Sequence, residues 1–273
     1  MNKPIGVIDS GIGGLTVLQE LQKQLPNEQF IYLGDTLRCP YGTKRKEEVI
    51  QYTWELVNYL LHHDIKMLVI ACNTATAILL EELRRELSIP VIGVIEPGAR
   101  AAVKSTQTSR VGVIGTSNTV QSGAYEMAIH RLDPSIRTTS VACPKFVPMI
   151  ERGLVSGQEV KQVVEESLLP FQNVKGLDTL ILGCTHYPLL QDVIEEVVGS
   201  RVTVLSSAFE TAKEMDSILT ATGTHHELTH EPSEPIIYST KEIHSFEKLT
   251  MMLNQFSSIH MKKIQLNEQR TWS

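Results

Sequence analysis

The chain has 273 residues, of which 42% are hydrophobic and 21% charged, and its formal net charge is -6. That length suffices for one large or two modest domains with real cores, and the composition is typical of a globular protein rather than a disordered one. The acidic balance argues against a nucleic-acid partner. No apolar stretch reaches the roughly 20 residues that span a bilayer. No signal-peptide pattern precedes the first strand.

Short apolar runs alternate with helical patterns along the whole chain. Apolar residues spaced three and four apart predict helices between the runs, for example over 15–25, 49–61 and 75–87. The cationic cluster at 44–46 leads into two glutamates and reads as the solvated start of a helix. This alternation is typical of βαβ units and predicts an α/β fold with mostly parallel sheets flanked by helices. The predicted strands are 5–8, 30–33, 67–71, 91–94, 111–114, 138–142, 179–182 and 202–205.

The chain also carries a weak internal duplication. Residues 5–10 resemble residues 111–116, and at similar distances downstream each copy has a strand that ends in a cysteine, Cys72 or Cys184. Ligands of open α/β sheets bind beyond the carboxyl ends of the strands. Two pseudo-symmetric lobes would therefore bring the two cysteines to opposite walls of one cleft. The predicted lobes are 1–97 plus 208–273, and 98–207.

The chain is predicted to cross between the lobes where turn-forming residues interrupt the pattern. The first crossing is placed at 96–98, at a Pro-Gly pair, and the second near 206–207. After Thr222 the chain becomes irregular, and its histidines indicate a solvated surface loop rather than a metal site. A last strand and helix over 236–256 is expected to pack on the first lobe, and the polar tail beyond Lys262 to fray.

A glycine-rich loop at 9–14 follows the first strand and opens a helix. Glycines let the backbone approach a ligand closely and a helix N-terminus favours an anion, although a purely structural turn would look the same. The order is not the dinucleotide Gly-x-Gly-x-x-Gly, so the loop suits a small carboxylate better than a nucleotide. Together with neutral donors after other strands, it predicts a site for a zwitterionic amino acid. The predicted substrate-binding residues are Asp9, Ser10, Tyr41, Gly42, Asn73, Thr74, Thr116, Thr119, Thr185 and His186.

Cys72 and Cys184 are the candidate catalytic residues. A cysteine at a strand end is more often inert packing. Here, however, two stand in matching settings, where a helix N-terminus would lower the pKa of each thiol and make it a useful base. Cys39 and Cys143, each followed by proline, are interpreted as structural, and no Cys-x-x-Cys or His-x-x-x-His spacing supports a metal site. A cytoplasmic location is expected, in which all four thiols stay reduced.

Five motifs are highly specific in combination, and they stand at residues 9–16, 34–36 with 40–42, 71–75, 94–98 and 183–188. On these motifs the chain, over roughly residues 4–220, resembles the cofactor-independent, glutamate-specific members of the aspartate/glutamate racemase family. The resemblance implies a two-lobed α/β fold with the active site between the lobes. It also implies that the protein needs no cofactor and forms a homodimer.

The resemblance also implies roles for individual residues. Cys72 would remove the α-proton from one enantiomer of glutamate, and Cys184 from the other. Asp9 and His186 match residues that assist the respective thiols. Glu151 matches an acidic residue with a supporting role, although an exposed helix glutamate fits its local sequence equally well. The implied function is the interconversion of L- and D-glutamate, which supplies D-glutamate for peptidoglycan synthesis.

Other functions stay open at this point. The nearest is an aspartate racemase or a related cysteine-pair isomerase, and His186 favours glutamate because the aspartate enzymes tend to carry an acidic residue there. A non-catalytic, two-lobed amino-acid-binding protein would not need two thiols. A thiol redox protein would be expected to carry Cys-x-x-Cys. A lysine Schiff base is disfavoured because no lysine stands in a strand-end motif.

Overall fold

In the computed structural model, which describes residues 3–226, 234–241 and 260–266, the strands form two sheets in which every pairing is parallel. The first sheet contains β1 (Ile5–Asp9), β2 (Phe30–Gly34), β3 (Met67–Ile70), β4 (Val91–Gly93), β9 (Ile236–Ser239) and β10 (His260–Lys263). The second contains β5 (Arg110–Gly115), β6 (Arg137–Ala142), β7 (Thr179–Gly183) and β8 (Thr203–Ser206). In space the strands lie in the orders β10-β9-β2-β1-β3-β4 and β6-β5-β7-β8.

Helices connect the strands, as parallel pairing requires. They are α1 (Leu15–Gln24), α2 (Lys46–Leu61), α3 (Asn73–Glu86), α4 (Ile95–Ser105), α5 (Ser117–Gln121), α6 (Ala124–Leu132), α7 (Phe146–Glu151), α8 (Gln158–Leu168), α9 (Gln191–Val198) and α10 (Ala208–Thr222). Short 3₁₀ helices cover Tyr41–Thr43, Leu169–Asn173 and Tyr187–Leu190. Within the described ranges, none of the helices has the length and apolar character needed to cross a membrane.

The predicted α/β class and all eight predicted strands are confirmed, and no strand end differs by more than one residue. Helix starts are less accurate, because the prediction began α2 at its first apolar residue, Val49. The charged turn before it is already helical: the Glu48 carboxylate accepts a hydrogen bond from the Arg45 amide over 3.1 Å and caps the helix start. The prediction that the cationic residues 44–46 belong to a solvated helix start is therefore confirmed.

The Pro-Gly pair at Pro97 and Gly98 does not interrupt the chain's regular structure. Both residues lie in the first turn of α4, where the amide that proline lacks would have no intrahelical partner. The second predicted crossing lies between β8 and α10. The lobe boundaries themselves stay a proposal.

The C-terminal part of the chain differs from the prediction. The predicted strand at 236 is present as β9, which pairs with β2, whereas the predicted helix lies outside the described residues. The tail was expected to fray beyond Lys262, but β10 pairs with β9, and the Ile264 amide donates to the Ser239 carbonyl over 2.9 Å. This expectation was wrong for residues 263–264 because the edge of β9 offers free backbone groups to pair with.

The two sheets place their cysteines in equivalent positions. Cys72 follows β3, which pairs with β1, and Cys184 follows β7, which pairs with β5. One continuous apolar core contains residues of both sheets, such as Val69 of β3 and Leu182 of β7. Both strands therefore contribute to one shared core that joins the two sheets.

The carboxylate of Asp178 ties the start of β7 to the end of α4. It accepts hydrogen bonds from Thr106 Oγ1 over 2.7 Å and from the amides of Gln107 and Thr108 over 2.7 and 2.8 Å. Partial burial would raise the pKa of Asp178, but these bonds outweigh burial and lower the pKa to about 2 from the usual 3.8. A group with a lowered folded-state pKa stabilises the fold above the unfolded value and loses that effect as the pH falls through the folded value.

We therefore predict that Asp178→Asn lowers the free energy of unfolding at pH 7 by roughly 1 kcal/mol. This is less than hydrogen bonds to a charged group usually contribute, because Asp178 is partly exposed and solvent screens its charge. The deficit should shrink between pH 3.8 and pH 2, where the wild-type carboxylate becomes protonated. Urea unfolding at pH 7, 5 and 3 measures it. A deficit that does not change over this range would contradict the assignment.

Candidate active site

A small cavity lies where the carboxyl ends of the two sheets meet. Its free space comes to about 260 Å³ when the solvent at its mouth is included, whereas its closed part holds only about 10 Å³, roughly the room of one water molecule, so the two walls lie close together. No lysine or arginine is among the described residues that line it. All but two of the residues predicted to bind substrate line this cavity, and Asp9 and Thr119 lie behind it. The lining residues are Ser10, Pro40, Tyr41, Gly42, Cys72, Asn73, Thr74, Thr116, Val147, Cys184, Thr185 and His186.

Cys72 lies just beyond β3 and caps α3. Its Sγ accepts a hydrogen bond from the Ala75 amide over 3.5 Å, so the predicted helix terminus does act on the thiol. Burial nevertheless dominates, and with the nearby charge of Asp9 it raises the pKa of Cys72 to about 12, against the lowering effects of Ala75 and Ser10. The expected lowering of this pKa is therefore wrong, and Cys72 rests as a neutral thiol.

Cys184 occupies the equivalent place beyond β7 and lies beside His186. Its Sγ atom is 4.0 Å from Nδ1 of His186, and both residues are buried. Burial alone would lower the pKa of His186, but hydrogen bonds with Cys184, Cys39 and Glu151 outweigh burial and raise the pKa well above its usual range. A cationic imidazole therefore lies beside Cys184.

Glu151, the last residue of α7, binds the other ring nitrogen of His186. Its Oε1 lies 2.7 Å from Nε2. Burial would raise the pKa of Glu151, but the bond to His186 outweighs burial and lowers it, so the carboxylate is ionised. Its side chain is 30% exposed, whereas that of His186 is 2% exposed. Glu151 is thus not a solvated helix glutamate, because it fixes the orientation of a buried histidine.

Asp9 is buried at the end of β1 and organises the loop that follows. Its Oδ2 accepts hydrogen bonds from the amides of Gly11 and Gly14, both over 3.0 Å, and its Oδ1 accepts one from Thr185 Oγ1 over 3.3 Å. Burial raises the pKa of Asp9, although His186 and the loop amides partly offset this effect. Asp9 therefore lies behind the cavity and holds the loop after β1 and the loop after β7 in place.

Neutral donors surround the cavity at the helix starts. Thr74, Thr116 and Thr119 form a triangle of hydroxyls with oxygen separations of 2.9, 3.3 and 3.0 Å. Oδ1 of Asn73 accepts a hydrogen bond from the Tyr125 hydroxyl over 2.7 Å, whereas its buried Nδ2 has no partner among the described residues. A buried, unpaired donor costs about 1–3 kcal/mol. Nδ2 is therefore placed for an acceptor on a ligand.

Two glycines are required by the close approach of the loops that form the cavity. A Cβ at Gly13 would lie 2.3 Å from Nδ1 of His186, and a Cβ at Gly42 would lie 2.3 Å from Cβ of Thr116. Real side chains do not approach so closely. In each pair the glycine follows a strand of the first sheet and its neighbour follows a strand of the second, so these glycines let the two sheets close on each other.

Cys39 is the site residue that the sequence interpretation missed. Its thiol, interpreted as structural, lies 3.6 Å from Glu151 Oε1 and close to His186. The available signal was its place shortly after β2, a neighbour of β1, because residues there reach the same rim of the sheet. Cys143, in contrast, is buried in the apolar core, and its carbonyl accepts a hydrogen bond from Tyr187.

The chain is similar to known proteins over almost its whole length. Residues 5–215 match the family described as Asp/Glu/Hydantoin racemase. A glutamate racemase from Oceanobacillus iheyensis is 52% identical, with 100% of both chains covered. A solved glutamate racemase isoform from Bacillus anthracis has 44% identity and a TM-score of 0.92, with 97% of this chain and 98% of that chain covered. A glutamate racemase from Francisella tularensis, solved in complex with D-glutamate, has 35% identity and a TM-score of 0.89 over 98% and 99% of the two chains.

Proposed function

The chain belongs to the Asp/Glu/Hydantoin racemase family, and we propose that it interconverts L- and D-glutamate with Cys72 and Cys184 as its two bases. One observation carries the proposal. The two thiols follow equivalent strands of two different sheets and line the same small cavity. Inverting a stereocentre requires that a proton leave one face of the α-carbon and another arrive at the opposite face, and two thiols on facing walls supply both steps.

The chemistry is a pair of proton transfers. In one direction Cys184, as a thiolate beside cationic His186, takes the α-proton, and the electron pair of the broken C–H bond stays on the substrate as a carbanion. Cys72, as a neutral thiol, then gives its proton to the opposite face. The reverse direction exchanges the two roles. Positioned acids and bases typically contribute about 10²- to 10⁴-fold each.

The remaining stabilisation must come from groups that meet the charge developing on the substrate carboxylate. The unpaired Nδ2 of Asn73 and the hydroxyls of Thr74 and Thr116 are neutral donors that line the cavity. Donors that are already oriented in a water-excluded site are worth far more than the same donors in water. Ser10, Tyr41, Gly42 and Thr185 complete the proposed glutamate site.

Three further residues are proposed to support the thiols. His186 is proposed to support Cys184 directly, because its Nδ1 lies 4.0 Å from the Cys184 Sγ. Asp9 is proposed to act on Cys72 through its charge, which raises the pKa of that thiol. Glu151 is a positioning residue, because it acts through its 2.7 Å bond to His186.

The proposal extends to the setting of the enzyme. No cofactor is required, and the D-glutamate produced would enter peptidoglycan synthesis and so maintain cell shape. The proposed location is the cytoplasm, where thiols such as the two proposed bases stay reduced. The assembly is proposed to be a homodimer, which sedimentation of the purified protein measures.

Replacing either base tests the mechanism. Cys72→Ala and Cys184→Ala should each lower kcat for racemisation by at least about 10²-fold, because each removes one of the two proton carriers. The measurement follows optical rotation and deuterium at the α-carbon in deuterated water, starting from L-glutamate without added cofactor. L-Aspartate in parallel tests the nearest rival activity.

Cys143→Ala is the matched control, since it removes a buried thiol in the core and should keep most of the activity. Full activity in either base variant would rule out the two-thiol mechanism. No deuterium incorporation and no change in rotation with the wild-type protein would overturn the racemase function itself.

The orientation of Asn73 can be tested through the residue that fixes it. Tyr125→Phe removes the bond that holds Oδ1, and the loss of about 1 kcal/mol of orientation should lower kcat and kcat/KM roughly fivefold, because Nδ2 is proposed to meet charge that develops in the transition state. Tyr187→Phe is the control, because its equally buried hydroxyl binds the Cys143 carbonyl instead. Equal kcat values in the two variants would argue against this role of Asn73.

Closure of the cavity depends on the absence of a side chain at residue 13. Gly13→Ala should reduce kcat/KM by about 10²-fold or more, because the new methyl group overlaps the imidazole of His186 and misplaces it. Gly115→Ala is the matched control at another strand end, where the added Cβ meets its nearest atoms at an ordinary 3.4 Å. Initial-rate kinetics of both variants decide the point, and an active Gly13→Ala protein would contradict it.

A further inference from the structure

Three groups of the kind that bind transition metals meet beside the cavity. Sγ of Cys39, a carboxylate oxygen of Glu151 and a ring nitrogen of His186 lie within 4.8 Å of one another. They come from the turn after β2, the end of α7 and the loop after β7. Because 112 and 35 positions separate Glu151 from the other two residues, no local spacing of the kind typical of zinc sites could reveal the set.

Two of the three separations between ligand atoms can be compared with those of a tetrahedral zinc site, and the third, between Cys39 Sγ and a ring nitrogen of His186, is at most 4.8 Å. With Zn–S near 2.3 Å and Zn–O near 2.1 Å, a tetrahedral sulfur and oxygen lie about 3.6 Å apart, and Cys39 Sγ lies 3.6 Å from Glu151 Oε1. A nitrogen and an oxygen need about 3.4 Å. His186 Nε2 and Glu151 Oε1 are 2.7 Å apart because they share a hydrogen bond. A metal ion would replace that proton and displace the carboxylate by less than about 1 Å.

The surroundings of His186 leave the correct nitrogen for a metal. Nδ1 faces Cys184 Sγ at 4.0 Å, so Nε2, which lies 2.7 Å from Glu151 Oε1, is the nitrogen that remains for a metal. Metal-bound histidines usually have their second nitrogen held in this way by a neighbouring group. The Glu151 side chain is 30% exposed, which gives an ion a path from solvent.

We propose that Cys39, Glu151 and His186 form a zinc-binding site whose fourth position is open to water. Thiolate, imidazole and carboxylate suit Zn²⁺, whereas Mg²⁺ and Ca²⁺ prefer oxygen ligands alone. On binding, the S–H bond of Cys39 and the N–H bond at Nε2 break, bonds from sulfur, nitrogen and a carboxylate oxygen to zinc form, and two protons leave to solvent. No electrons are transferred.

A consequence for activity rests on the proposed function. Zinc on Nε2 breaks the bond between Glu151 and His186 and fixes the imidazole as a metal ligand, so the ring can no longer move across the 4.0 Å that separates Nδ1 from the Cys184 thiol. Bound zinc is therefore a reversible inhibitor of racemisation, and a chelator restores the rate.

The binding test uses the full-length protein, freed of metal with a chelator, and Zn²⁺ alone as the probe. Isothermal titration with competition should show one zinc ion per chain. Cys39→Ala should weaken binding by more than about 100-fold, beyond the 10- to 100-fold cost of changing an outer-shell partner. Cys143→Ala is the matched control and should bind as the wild type does. Substituted Co²⁺ should show a thiolate charge-transfer band that only Cys39→Ala loses, and circular dichroism checks that the variants fold.

Several outcomes would overturn the site. They are no binding by the wild type, equal affinity in Cys39→Ala, or loss of binding in the double variant Cys72→Ala/Cys184→Ala, which would place zinc between the two bases. Inhibition is tested separately, with each variant compared with its own metal-free rate, and Cys39→Ala should resist zinc. If the protein proved not to racemise glutamate, the titration and the cobalt spectrum would still decide the zinc site.

Discussion

The buried contact between the loop after β1 and the loop after β7 is the constraint on which the rest of the structure depends. Thr185 Oγ1 donates to Asp9, Thr16 Oγ1 donates to the Thr185 carbonyl over 3.0 Å, and Gly13 lies against the ring of His186. These contacts join the carboxyl ends of two separate parallel sheets. Because they leave little space between the sheets, the cavity is small and most groups that line it are buried. Burial in turn determines how each titratable group behaves.

The two thiols occupy equivalent places in the fold but different electrostatic surroundings. Cys72 lies near the carboxyl group of Asp9 and is buried, and both effects favour its neutral form. Cys184 lies beside a histidine whose pKa is raised and which an ionised glutamate holds in place. The proposed two-thiol mechanism needs one base that starts with its proton and one that starts without it. The groups beside the two thiols differ in the sign of their charge, with the carboxyl group of Asp9 near Cys72 and the imidazole of His186 beside Cys184.

Much of this arrangement could be predicted from the sequence, because strands and their polar ends are local features. Apolar runs located eight strands, and the parallel topology placed Cys72 and Cys184 at carboxyl ends of strands, where both line one cavity. What could not be predicted depends on contacts between distant residues. The proximity of Cys39 to Glu151 and the effect of burial on Cys72 both arise only when the two sheets close. Pairing at the edge of β9 likewise made a strand from a polar tail that has no strand signal of its own.

The wall of the cavity also depends on the C-terminal part of the chain. Asp35, fully buried, accepts hydrogen bonds from the Tyr41 hydroxyl over 2.5 Å, from Arg38 over 2.6 Å and from Thr240 Oγ1 over 2.9 Å. A buried carboxyl group is tolerated only when its oxygens are paired in this way. Thr240 directly follows β9 and lies beyond residue 215, where the match to the family ends. A segment without any catalytic motif thus secures Asp35, and through Asp35 it holds Tyr41 against the space where substrate is proposed to bind.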